Sequence, residues 1–323
     1  MPAPVLVLGP QRPEPNLGPA LARAQIDGRL ALITAGWRHD EDEIGPLGSH
    51  LGRPLTHLKL YRWIDEVLRE HPDLAQAYGA RQRRIRAYKE VYRISLRAAS
   101  MAVTELYDRV KADPSVYGLD LQDAIGAVHQ IDERVLRRAE QITEDHPEVR
   151  EPWTHPAVAA LRERVLGELH GCSALLIAGG HVAVLRNRIR FLGLDSVISE
   201  LPAQGVAVAA WSAGAMVLAR RIVLFYDDPP EGHGMAEVLG PGLDMLPNVV
   251  WLPHARMRLD LSDDKRVAVL ARRLEPDSAV ALETGAHLVW DGERYTDHSE
   301  AASCFSLTAS GATEPGIRHE RSS

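Results

Sequence analysis

The sequence predicts an α/β protein: a parallel sheet with helices on both faces, interrupted by a long α-helical hairpin. Three observations carry that prediction. Short, wholly apolar runs close on glycine or proline in the first sixty residues and return after Trp153, the pattern of strands buried on both faces. Helical spans separate those runs, as parallel crossovers require. Between about 61 and 150 the β-rich runs vanish and apolar residues step by three and four, the period of a helix face.

The elements follow in order. Val5 to Leu8 is an apolar run stopped by Gly9-Pro10, Leu17 to Ile26 reads as a helix, and Leu30 to Thr34 is a second strand ended by Gly36. Leu55 to Leu60 is a third strand, and Trp63, Ile64, Val67 and Leu68 mark a short helix. Ile85, Tyr88, Tyr92, Leu96, Ala99, Val103 and Leu106 then share one helical face, which Asp113-Pro114 and Gly118 break. Ile125, Val128, Ile131, Val135, Ala139 and Ile142 repeat the stripe up to Pro147. Two such stripes joined by a short turn make an antiparallel hairpin. The α/β rhythm resumes with a helix over 158–169 and strands over 174–177, 206–210, 249–252 and 279–282, closed by a hairpin from His287. The expected organisation is one discontinuous α/β unit (1–60 and 151–305), a helical insertion (61–150) and a disordered tail (306–323) rich in Ser, Gly, Thr and charge.

Composition narrows the function classes. With 323 residues the chain can bury roughly 75% of its unfolded surface, so no disulfide or metal staple is needed. The net charge of −7 argues against a broad nucleic-acid surface. Two cysteines, Cys172 and Cys304, form neither a disulfide framework nor a thiolate zinc site. The start MPAPVLVLGP lacks the charged and long apolar parts of a signal peptide, and no run of about 18 apolar residues exists. A cytoplasmic protein without membrane or nucleic-acid partners is expected. No HExxH, Walker loop or GxGxxG is present. The acidic stretch from Asp40 to Glu43 lacks the ordered spacing of a cation loop.

The sharpest chemical signal is Ala209-Ala210-Trp211-Ser212-Ala213-Gly214-Ala215. A buried strand enters a tight turn of small residues and a helix leaves it, the arrangement of a nucleophile elbow. The hydroxyl of Ser212 would stand above the sheet's carboxyl edge, with the N–H of Ala213 turned toward an oxyanion. Ala210 stands where such elbows usually carry a first glycine. A serine needs a base. Of fourteen histidines, His254 follows the strand over 249–252 through Pro253, and so also sits at a carboxyl edge. For the acid that orients it, the candidates are Asp227 and Asp228, past the elbow helix, and Glu283, after the strand over 279–282. Gly179 and Gly180, after another strand, allow backbone amides close to a substrate oxygen. Arg256 and Arg258 could hold a substrate carboxylate in bidentate fashion. Arg81, Arg83, Arg84 and Arg86, with Lys89 and Arg93, read as the solvated face of the first hairpin helix, whose Tyr88 and Tyr92 lie on the apolar stripe.

The combination IAGG, AWSAGAMVL, GPGLDMLPNVVWLPHARMR and AVALETGAHLVWDG resembles the serine peptidases that include α-aspartyl dipeptidase and cyanophycinase. These are relatives of the class I glutamine amidotransferases in which serine replaces cysteine. The resemblance spans 153–295 well and 1–60 weakly. It implies a flavodoxin-like fold, Ser212 as nucleophile and His254 as base. The family's acid follows the nucleophile at an interval that falls on Asp227, which places Asp227 ahead of Glu283. The chain departs from the family in three places. His181-Val182 follows Gly180 where Asn or Asp-Gln helps to hold substrate, Ala255 replaces an aromatic residue, and the helical span 61–150 has no counterpart.

The expectation is a serine hydrolase that cleaves a small or unusual, aspartyl-type peptide or isopeptide bond. Ser212, His254 and Asp227 (or Glu283) form the triad, Gly180 and Ala213 the oxyanion hole, and Gly179, His181 and Arg258 contact substrate. No metal or organic cofactor is required. An esterase or amidase with the same triad, or a non-catalytic binding protein, are the alternatives. The hairpin, tethered near 61 and 150, is expected to act as a lid contributing side chains between Arg81 and Arg93 and to support a homodimer.

Overall fold

The computed structural model describes residues 2–225 and 235–317. Its strands are β1 (Val5–Leu8), β2 (Leu30–Ile33), β3 (Leu55–Leu58), β4 (Ala174–Ile177), β5 (Ala207–Trp211), β6 (Arg221–Leu224) and β7 (Glu237–Pro241). There follow β8 (Val249–Pro253), β9 (Ser278–Leu282), β10 (His287–Trp290), β11 (Tyr295–Asp297), β12 (Cys304–Leu307) and β13 (Thr313–Pro315).

The central sheet has the order β11-β10-β1-β5-β4-β2-β3. Its five strands from β1 to β3 run parallel, and β10 and β11 close one side as an antiparallel hairpin. The run β3-β2-β4-β5 follows the flavodoxin order, with β1 standing where a fifth strand would. All four residues of β1, β2 and β4 are buried, as are all five of β5. Alternate residues feed two cores. Val5, Val7, Ile33 and Ile177 join one, and Leu6, Leu8, Leu32 and Leu176 join the other. Continuous apolar runs are therefore read correctly as strands covered on both faces.

The sequence suggests that the strands at 249–252 and 279–282 belong to that same sheet, with their carboxyl ends at its crevice. They form a separate four-stranded sheet instead, β13-β12-β9-β8, in which only the β8–β9 pair is parallel. The reason is that β10 already occupies the free side of β1. The two sheets meet at Gly9, where a Cβ would lie 1.8 Å from the carbonyl oxygen of Glu283. The tail expected from 306 onward also needs correction. Residues 304–307 and 313–315 pair as β12 and β13, and the Ser, Gly and Thr composition belongs to the turn between them. There the Thr308 hydroxyl donates to the Ala312 carbonyl at 2.9 Å, and Gly311 takes φ +92°.

The insertion is a helix Leu60–Glu70 followed by the hairpin helices Pro72–Ala112 and Pro114–Glu144. Asp113 alone makes the break, its carboxylate accepting the N–H groups of Ser115 and Val116, while Gly118 continues the second helix. Tyr92, Leu96 and Val103 face Leu121, Val128 and Val135 in the buried stripe. The hairpin is tethered at more than its ends. Buried Arg273, on helix Asp264–Leu274, holds the buried Asp132 carboxylate through Nε at 3.0 Å and Nη2 at 2.9 Å. The Tyr92 hydroxyl donates to Asp132 at 2.7 Å and accepts the Val238 N–H of β7 at 2.9 Å. Lys89 donates to the Leu239 carbonyl at 2.6 Å, and Arg93 pairs with Glu237 at 2.9 Å. These bonds revise the reading of Arg81 to Arg93 as a solvated face: Arg81 is buried, and Lys89 and Arg93 point at β7.

The acidic stretch is structural. Both Glu41 oxygens accept N–H groups at the start of helix Leu60–Glu70, from Tyr61 and Arg62, each at 2.9 Å, the usual placing of an anion at a helix N-terminus. Burial raises the pKa of Glu41 against those bonds. Asp42 pairs with Lys59 and Arg62. Among the described residues no group of three or more His, Cys, Asp and Glu is placed to hold a metal ion, and no helix is long and apolar enough to cross a membrane.

Candidate active site

Ser212 joins the end of β5 to helix Ala213–Leu218 with φ +52° and ψ −121°. A non-glycine residue there is strained, and strain of this kind persists only where the surroundings enforce it. The surroundings are visible. The Ser212 N–H donates to the Leu8 carbonyl of β1 at 3.1 Å, and Gly214 packs so closely on β4 that a Cβ would lie 2.2 Å from the Ile177 oxygen. That glycine, rather than one at position 210, is what the turn requires. Gly179 is equally restricted, since its Cβ would stand 2.9 Å from the Ser212 Cβ. Gly180 takes φ +105° against the Gly36 carbonyl and the Trp37 ring. Neither the Gly180 nor the Ala213 N–H makes a hydrogen bond among the described residues, so both amides are available to an oxyanion.

His254 ends β8 in the left-handed conformation, φ +60° and ψ +37°. Its N–H donates to the Leu282 carbonyl of β9 at 3.0 Å, and its own carbonyl accepts the N–H of Arg258. His254 thus comes from the second sheet and Ser212 from the first. They nevertheless line one cavity, together with Pro10 to Pro13, Trp37, Gly179 and Gly180. Among the described residues Ser212 and His254 are not hydrogen-bonded to each other; catalytic contacts often tighten only around substrate. Burial lowers the His254 pKa below its usual 6.5, and the Arg258 cation lowers it further. The ring is therefore neutral at pH 7, the state a general base requires.

The other expected residues divide. Glu283 reaches the His254 turn, its Oε1 accepting the Arg256 N–H at 2.8 Å. Asp227 and Asp228 lie outside the described residues. His181 caps helix Val182–Phe191, with Nδ1 accepting the Val184 N–H at 3.3 Å, so the exposed ring carries its proton on Nε2. On the other side of Ser212 a second cavity is lined by Gly180, His181, Ala213, Leu224, Phe225 and Arg258. The Arg258 guanidinium stands 5.5 Å from the Phe225 ring centre. The sequence reading missed Trp37 and the Pro10–Pro13 loop. The signal available for them was their position just past the ends of β2 and β1.

A nucleophile elbow beside a neutral histidine is serine-hydrolase geometry, and comparison with known proteins gives its kind. Residues 153–297 match the model of peptidase family S51. The chain is a serine peptidase, similar over that stretch to family S51. The resemblance drawn from IAGG, AWSAGAMVL and the Pro-His run is thereby borne out. Among solved structures the peptidase is similar to a peptidase from an acI-B1 Actinobacterium, at 14% identity over 96% of this chain and 92% of that one, with a TM-score of 0.42. It is also similar to a putative peptidase E protein from Listeria monocytogenes EGD-e, at 14% identity over 43% and 65% of the two chains, with a TM-score of 0.32. No curated protein matches the sequence.

Proposed function

We propose that this peptidase cleaves a small or unusual, aspartyl-type peptide or isopeptide bond through Ser212 and His254. The observation that carries the reading is the strained elbow at Ser212 facing the cavity it shares with His254. Ser212 Oγ attacks the carbonyl carbon and its proton passes to His254. The amides of Gly180 and Ala213 receive the oxyanion, the C–N bond breaks, and His254 gives its proton to the leaving amine. Water then hydrolyses the acyl-serine by the same route in reverse. Digestion of a peptide library with mass-spectrometric readout, with Ser212→Ala as control, tests this: no cleaved bond, or cleavage of esters alone, would refute it.

Asp227 completes the triad in this reading. Asp227→Asn is expected to lower turnover by about 10⁴. Glu283→Gln should do much less, because a glutamine oxygen can still accept the Arg256 N–H that Glu283 holds. Kinetics of the two variants on one peptide decide it, and the reverse order would move the role to Glu283.

The lowered His254 pKa sets the acid limb of the rate profile. A base is active when neutral, so kcat/KM should hold as pH falls through 6.5 and drop only at lower pH. Arg258→Gln removes the second cause of the lowering, and its acid limb should move to higher pH. An unmoved limb in a profile of kcat/KM against pH would show that Arg258 does not act on the base.

A further inference from the structure

A third cavity opens between hairpin helix Pro72–Ala112 and helix Val182–Phe191. Arg81, Arg86, Lys89 and Arg93 stand on one wall, and Arg186, Arg188 and Arg190 on the other. Its only lining carboxylate among the described residues is Glu237. It is continuous with the space beside Ser212, because His181, Ala183 and Leu224 line both.

Several of these cations are accounted for. Arg93 pairs with Glu237 and Glu90, Arg186 with Asp195, and Arg188 with Asp65. Arg81, Arg86, Lys89 and Arg190 form no salt bridge among the described residues, although the Glu237 charge acts on Lys89 against the effect of burial. Arg81 is 4% exposed, with its Nη1 on the Val149 carbonyl at 2.7 Å and its guanidinium 4.8 Å from the Tyr78 ring centre. Its Nε, and the Nη1 of Arg186 at 8% exposure, are buried donors without an acceptor among the described residues. Burying a cation without a counter-charge is costly. Lys89 registers that cost, its pKa lowered to about 8 by burial. A cavity that gathers such groups and leaves donors unmet is organised for an anion that enters it.

We propose that this cavity extends the active site and binds the carboxylates of an acidic segment of the substrate, while the scissile bond lies at Ser212. The proposal rests on the serine-peptidase reading for the identity of the ligand as a peptide. Continuity with the Ser212 cavity favours a peptide chain over a free anion, and arginine forks suit carboxylates bidentately. Fields from clustered cations also speed the arrival of an anionic chain, in a salt-dependent way.

The test uses the full chain and two labelled peptides that differ only in ending with four glutamates or four glutamines. The glutamate peptide should show the higher kcat/KM, with the advantage shrinking as salt rises. In the double variant Arg86→Gln/Arg190→Gln, which removes two cations without emptying the core, KM for the glutamate peptide should rise about tenfold or more per lost contact. Its kcat, and both constants for the glutamine peptide, should stay within a factor of about two of wild type. Equal handling of the two peptides by wild type, or equal losses on both in the variant, would overturn the proposal. Fluorescence anisotropy with Ser212→Ala separates the two readings. Preferential binding of the glutamate peptide with no cleavage by wild type would keep the anion site and refute the peptidase reading. Cleavage without acidic preference would do the opposite.

Discussion

Replacement of Ser212 by alanine is expected to lower peptide turnover by a factor of about 10⁴–10⁶ and to leave the protein folded. The residue is the hydroxyl side chain that the strained elbow presents, beside Trp211, to the cavity containing His254. The loss of one hydroxyl at a half-buried position removes little packing. Alanine is also no worse than serine at φ +52°, since both carry a Cβ in that region. The thermal midpoint should therefore change by a few degrees at most, while steady-state turnover collapses. A variant that keeps turnover within tenfold of wild type would remove Ser212 from the mechanism. A serine-reactive fluorophosphonate should label wild type and fail to label the variant.

Replacement of Asp132 by alanine is expected to have the largest effect on stability, about 3–5 kcal/mol. Asp132 is 2% exposed and Arg273, its partner, is 7% exposed. Their two-pronged contact also carries the Tyr92 hydroxyl, which reaches the Val238 N–H of β7. Removal of the carboxylate leaves a guanidinium buried without its counter-charge and Tyr92 without its acceptor. The free energy of opening the hairpin from β7 and helix Asp264–Leu274 falls accordingly. Urea denaturation of the variant against wild type gives the number. A loss under about 1 kcal/mol would mean that apolar packing, not this network, fixes the hairpin to the core. Asp132→Asn should fall between the two, because it keeps hydrogen-bond acceptance and loses the charge.

Much of the fold was legible because its signals are local. The apolar runs at 5–8, 30–33, 174–177 and 207–211 needed only their length and their glycine stops to be read as doubly covered strands. The hairpin followed from three-and-four spacing, and its break from Asp113-Pro114, a cap followed by a residue suited to the first helical turn. Ser212 was found because an elbow is a local backbone event with a local composition. His254 was found from the strand before it, although that strand belongs to another sheet.

The remaining features depend on partners far apart in sequence. Pairing of β10 with β1 excludes β8 and β9 from the central sheet, and no local pattern states which strand takes a free edge. The Ser, Gly and Thr of 306–313 read as a tail because turn and tail share a composition; the pairing of β13 with β12 separates them. Arg81, Lys89 and Arg93 looked like a solvated face, since helical periodicity marks a stripe but not what a neighbouring element brings to its flank. Here helix Val182–Phe191 and β7 arrive beside that flank, about 100 and 150 residues along the chain, and turn surface cations into the wall of a cavity. Local pattern was enough for the strands of the central sheet, the hairpin and the elbow at Ser212. The crevice, and the charges that surround it, exist only once distant segments have been packed together.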